Sequence, residues 1–171
     1  DPGDIIRYAT SLGTLHQVSI RNMDEQHRDW LEMQKERGLT VEIATVAVVS
    51  GDGLSEVFTS LGATAIVPGG KTMNPSVKDL LQAVKGVASD KVIILPNDKN
   101  IVPAAEQVQS LTKKRIEVVP THTIPQGVAA LLAFDYEADL ETNTRLMTEA
   151  KAKVKTIGVT HAVRSTQLKG L

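Results

Sequence analysis

The 171-residue chain contains no cysteine, which excludes a disulfide framework, thiol chemistry and a cysteine-ligated zinc site. Aromatic side chains are nearly as scarce, with two Phe, two Tyr and one Trp, too few for a platform on which nucleic-acid bases stack. No sign of charge dominates: 19 Lys and Arg stand against 20 Asp and Glu, for a net charge of −1. The broad cationic surface that would draw nucleic acid or anionic lipid is therefore missing. No apolar run approaches the ~18 residues of a membrane span, and the opening Asp1-Pro2-Gly3-Asp4 does not read as a signal peptide. These absences predict a soluble, cytoplasmic protein with no nucleic-acid partner and no membrane insertion.

What the chain does have is a regular rhythm from Val41 onward. Continuous apolar runs of strand length occur at Ala44–Val49, Ala63–Val67, Val92–Leu95 and Ile116–Val119. Unbroken rather than alternating hydrophobicity is the pattern of parallel strands buried on both faces. Helical segments fall between them, at about 54–61, 75–87 and 101–112. The second places Val77, Leu80, Leu81 and Val84 on one face, with Pro75 suited to its first turn. In the third, Asn100 is the expected N-cap, and Pro103 is tolerated in the first turn. A fourth helix starts near Pro125, a polar helix covers Glu137–Lys155, and Ile157–Val163 reads as a further strand. Strand and helix in this alternation predict an α/β fold, a parallel sheet with flanking helices.

The first forty residues follow a different pattern. Ile5, Ile6, Ala9 and Leu12 have helical spacing up to Gly13, and Leu15–Ile20 reads as a short strand. Asn22–Arg37 is highly charged, and Asp24 is placed to cap a helix that Gly38 ends. The expected organisation is a remnant of a preceding domain at 1–21, a linker helix at 22–40, and an α/β domain at 41–171, cut short at its C-terminus.

If the sheet is parallel, four polar loops leave its carboxyl edge, where open α/β sheets bind their ligands. They are Ser50-Gly51-Asp52-Gly53, Pro68 to Ser76, Pro96-Asn97-Asp98-Lys99-Asn100, and Pro120 to Gly127. The candidate ligand-binding residues are Ser50 and Asp52 in the first loop, and Gly70, Thr72, Asn74 and Ser76 in the second. Asn97 and Lys99 come from the third, and Thr121 and His122 from the fourth. The first loop lacks the spaced glycines of a dinucleotide fingerprint. Gly70-Lys71-Thr72 has the ending of a phosphate-binding loop without its first glycine. His16, His27, His122 and His161 show no ligand spacing, so no metal site is expected. His122, on the rim, has the chemistry of an acid, base or nucleophile, and Asp52 and Asp98 are acids on the same edge. No catalytic set assembles from these residues.

Taken together, four motifs carry a family resemblance. They are Ser50-Gly51-Asp52-Gly53-Leu54, Gly69-Gly70-Lys71-Thr72-Met73-Asn74-Pro75-Ser76, Leu95-Pro96-Asn97-Asp98-Lys99-Asn100-Ile101 and Val119 to Gly127. In this order they resemble the C-terminal region of FakA-type (YloV-type) fatty acid kinases, also labelled dihydroxyacetone-kinase-like. Asn22-Met23-Asp24-Glu25-Gln26-His27 is similar to that family's linker.

The resemblance implies a parent with an N-terminal ATP-binding domain, a middle domain with metal-binding histidines, and a C-terminal DegV-like domain. Such a parent phosphorylates the carboxylate of a fatty acid held by a separate DegV-type binding protein, and its acyl phosphate product feeds lipid synthesis. ATP, Mg and the middle-domain metal are then cofactors of the parent, with none expected in this chain, which starts just past the metal histidines. In DegV proteins a Thr-Ser-x-Pro-Ser motif helps hold a lipid carboxylate. Thr72, Pro75 and Ser76 match it, Met73 replaces the central serine, and Pro96–Asn100 replaces the Ser- and Gly-rich loop that follows. Dihydroxyacetone kinases hold substrate on a rim histidine, but the loop of His122 does not match theirs and that role does not carry over. The expected function is a non-catalytic domain of a bacterial fatty acid kinase that docks the DegV-type protein or forms a homodimer. The alternatives are a lipid or small-molecule binding domain using the polar rim, or part of a dihydroxyacetone-kinase-like phosphotransferase.

Overall fold

A computed structural model describes residues 2–13, 41–69 and 74–158. Contacts divide the chain into two units, Asp1–Thr40 and Val41–Leu171. In the first, helix α1 spans Pro2–Leu12. The expected strand at 15–20 and the linker helix lie outside the described residues.

The second unit is built on a four-stranded, all-parallel sheet. Its strands are β1 (Ile43–Val49), β2 (Ala65–Pro68), β3 (Lys91–Leu95) and β4 (Arg115–Val118), in the order β2-β1-β3-β4. The helices are α2 (Asp52–Ser60), α3 (Val77–Gly86), α4 (Val102–Gln109), α5 (Ile124–Leu132) and α6 (Leu140–Ala152). Every residue of β1 is buried, because successive side chains enter two different cores. Ala44, Val46 and Val48 join Val92 and Ile94 under Leu80 and Val84 of α3 and Ala105 and Val108 of α4. Ile43, Ala47 and Val49 join Ile93 and Leu95 under Phe58 of α2, Leu131 of α5 and Met147 of α6. Two covered faces explain why the strand runs are apolar without alternation.

Placement of the helices also follows from the strand order. The connection β1-α2-β2 moves outward on one face, whereas β2-α3-β3 returns past β1 on the other. A uniform handedness of crossover demands opposite faces for opposite directions. The sheet therefore reverses its winding between β1 and β3, and a crevice opens at their carboxyl ends.

Several boundaries differ from expectation for local reasons. Pro75 precedes α3 instead of occupying its first turn, because Ser76 is the N-cap. Ser76 and Asp79 form a capping box, with Ser76 N donating to Asp79 Oδ2 at 2.9 Å and Asp79 N donating to Ser76 Oγ at 3.2 Å. Asn100 does not cap α4. The Asp98 carboxylate takes the Asn100 N–H at 2.8 Å, the Asp98 carbonyl takes that of Ile101, and Ile101 is the N-cap. The polar helix starts at Leu140 because Asp139 Oδ1 accepts from Thr142 N at 2.8 Å. Its inner face contains the buried Asn143, which accepts from Asp135 N and donates to the carbonyls of Asp135 and Ala138. Of the expected strand at 157–163, Ile157 and Gly158 lie in no strand, and the rest falls outside the described residues.

Candidate functional site

At the carboxyl edge, the ends of β1, β3 and β4 are tied together by one buried amide. Asn97 closely follows the β3 exit and has a positive φ of 57°, a conformation that asparagine tolerates better than most residues. Its Nδ2 donates to the carbonyl of Val48 in β1 at 3.0 Å. Thr121 Oγ1, beyond β4, accepts the Asn97 backbone N–H at 3.0 Å and donates its own proton to Asn97 Oδ1 at 2.8 Å. The Val48 carbonyl can only accept, so the amide orientation is fixed by its partners. Asn97 is 6% exposed and Thr121 fully buried, so these bonds form where leaving a polar group unmet is costly.

Around this knot lies a cleft of about 410 Å³. Its lining includes Val48, Ser50, Asn97, Asp98, His122 and Ile157. The fourth wall is the stretch after α6, which passes the rim with Thr156 Oγ1 2.9 Å from Thr123 Oγ1. The rim loop after β4 is held twice more. His122 N donates to Gln126 Oε1 at 2.8 Å, and Lys151 Nζ donates to the Pro120 carbonyl at 2.8 Å. Burial pushes the Lys151 ammonium below the usual lysine range.

The candidate residues separate into groups. Ser50, Asn97 and His122 line the cleft, and Thr121 lies beneath it, bonded to Asn97. Asp52 sits exposed in the first turn of α2, and Asn74 and Lys99 are exposed; none of the three lines the cleft. Of the two rim acids, Asp98 faces the cleft and Asp52 does not. Ser76 commits its hydroxyl to Asp79, to which it donates at 2.7 Å. That bond and the backbone N–H of Ser76 hold the Asp79 carboxyl below its ordinary range. Gly70 and Thr72 lie outside the described residues. Sequence reasoning does not single out Gly127, Thr156 or Lys151. The signal for Gly127 is a glycine inside a helical pattern, which marks close approach of another group.

Among the described residues no group of three His, Asp or Glu side chains could hold a metal ion. No Lys or Arg among them lines the cleft to meet a triphosphate. The residues described thus do not fit ATP, Mg or a structural metal. No described helix is long and apolar enough to cross a membrane.

Comparison with known proteins places this geometry in a class. Residues 44–171 match the FakA-like C-terminal family of fatty acid kinases, and the chain belongs to that family. Its relatives include an uncharacterized protein of Staphylococcus epidermidis strain ATCC 12228, 40% identical over 178 residues. Others are uncharacterized proteins of Staphylococcus haemolyticus strain JCSC1435 (41% over 178 residues) and Staphylococcus aureus strain USA300 (40% over 174). Each alignment covers 99% of this chain and 32% of the relative. The chain spans about a third of the length of these proteins.

Proposed function

We propose that this chain is the C-terminal, non-catalytic domain of a bacterial fatty acid kinase. In this reading it docks the DegV-type protein that carries the fatty acid, or pairs two copies of the kinase, while other parts of the parent handle ATP. The observation that carries the reading is the family match across residues 44–171. It is supported by the cleft residues, which offer no cation for a nucleotide and no metal-binding cluster among those described. The direct test compares the full-length kinase with a version lacking residues 41–171. Titration against the loaded carrier protein and sedimentation are the readouts. Loss of carrier binding or of self-association supports the reading; retention of both overturns it.

A second reading is favoured by the cleft itself. A recess of about 410 Å³, partly apolar with a few converging polar groups at the winding reversal of the sheet, has the properties of a small-molecule site. Here the rim binds a ligand directly, whether or not a partner also docks.

A further inference from the structure

The charge and hydrogen-bonding pattern of the cleft identifies the kind of ligand it would accept, an inference that rests on the second reading above. Asn97 Nδ2 has two protons. One goes to the Val48 carbonyl at 3.0 Å, and the other meets no acceptor among the described residues. Asn97 is 6% exposed and lines the cleft. A buried N–H that faces a recess without a partner is a place where an oxygen of a bound molecule gains most. Ser50, exposed at the end of β1, adds a hydroxyl to the same lining. Val48, Ile124 and Ile157 supply apolar wall beside these groups.

The charge in the recess has the wrong sign for an anion. Asp98 contributes a carboxylate to the lining, and among the described residues no Lys or Arg balances it. One Asp98 oxygen is already engaged by the Asn100 N–H at 2.8 Å, which fixes the carboxylate in place. A bound carboxylate or phosphate would meet like charge in a partly desolvated site. An uncharged carbonyl or amide accepts the Asn97 proton without that repulsion, and an amide N–H can donate to Asp98.

We propose that the cleft is a binding site for an uncharged ligand with a carbonyl or amide head and a short apolar body, and that it discriminates against carboxylates. Asn97 supplies the donor and Asp98 the discrimination.

The test uses two probes of the same shape and different charge, hexanamide and hexanoate, titrated into the ¹⁵N-labelled chain up to their solubility limits. Hexanamide is expected to shift the Asn97 side-chain amide and the Ser50 backbone signal saturably. Hexanoate is expected to bind about tenfold more weakly, a difference of one charge-dependent contact. In Asp98→Asn the amide side chain can keep the turn to Asn100, and the gap between the probes should close while hexanamide binding persists. Equal or tighter binding of hexanoate to the wild type overturns the assignment of ligand class but leaves a small-molecule rim standing. No saturable shift with either probe overturns both.

Discussion

The side chain of Asn97 occupies the space that a β-carbon on Gly127 would need: an added methyl would stand 2.8 Å from Asn97 Cγ and 2.9 Å from Nδ2. Gly127 lies inside α5, where glycine costs helix stability. That cost is offset because the bare backbone lets the helix press against the amide that ties β1, β3 and β4 together.

Gly127→Ala therefore should not behave as a helix-favouring change. Its methyl must displace a buried residue that makes three hydrogen bonds. We expect a loss of about 1–3 kcal/mol, the range for overpacking a filled site, read as a lower urea midpoint. A gain in stability would show that the side chain of Asn97 moves aside at no cost.

Two substitutions at Asn97 separate its backbone role from its side-chain role. Asn97→Ala abandons the Val48 carbonyl and the Thr121 hydroxyl and forces a β-carbon to accept φ 57°. The expected loss is about 2–4 kcal/mol. Asn97→Gly removes the same bonds but relaxes the backbone, and should be about 1 kcal/mol less damaging. Chemical denaturation of both variants checks the order.

The capping box of α3 predicts an acid-sensitive contribution. Asp79 has a lowered carboxyl pKa, first through the Ser76 hydroxyl and then through the Ser76 N–H. A depressed folded value means the contribution is present above the unfolded value of 3.8 and is lost as pH falls through the folded one. Wild type and Asp79→Asn should therefore converge in stability toward low pH. Ser76→Ala should cost about 1 kcal/mol near neutrality. NMR titration of the Asp79 side chain in wild type and in Ser76→Ala reads the linkage, which the substitution should weaken.

Lys151 has the opposite sense. Burial lowers its folded pKa below 10.5, so the unfolded chain binds the proton more tightly. Wild type should gain stability relative to Lys151→Met as pH rises from the folded value toward 10.5. A flat difference across that window would mean that the ammonium holding the Pro120 carbonyl is fully solvated.

Much of the fold is legible in the chain because β1 and β3 bury both faces. Their runs, Ile43–Val49 and Lys91–Leu95, leave no polar alternation to confuse the reading. Pro75 misdirects the start of α3, although Ser76-Val77-Lys78-Asp79 already has the spacing of a capping box. The importance of Asn97 is only half readable. Its place on the rim follows from the strand pattern, but its role depends on Val48 and Gly127, distant in sequence and adjacent only once the sheet reverses its winding. Asn143 is hidden in the same way inside a helix that looks merely polar. It is buried because it closes the turn from Asp135 to Ala138.

Whether residues 41–171 serve association is decided by hydrogen exchange on the full-length kinase, with the fatty-acid-loaded carrier protein added in one series and the kinase concentration raised in another. Slower exchange within residues 41–158 is expected in at least one series. Exchange there that is unchanged in both, with protection confined to the rest of the kinase, would contradict a role in association.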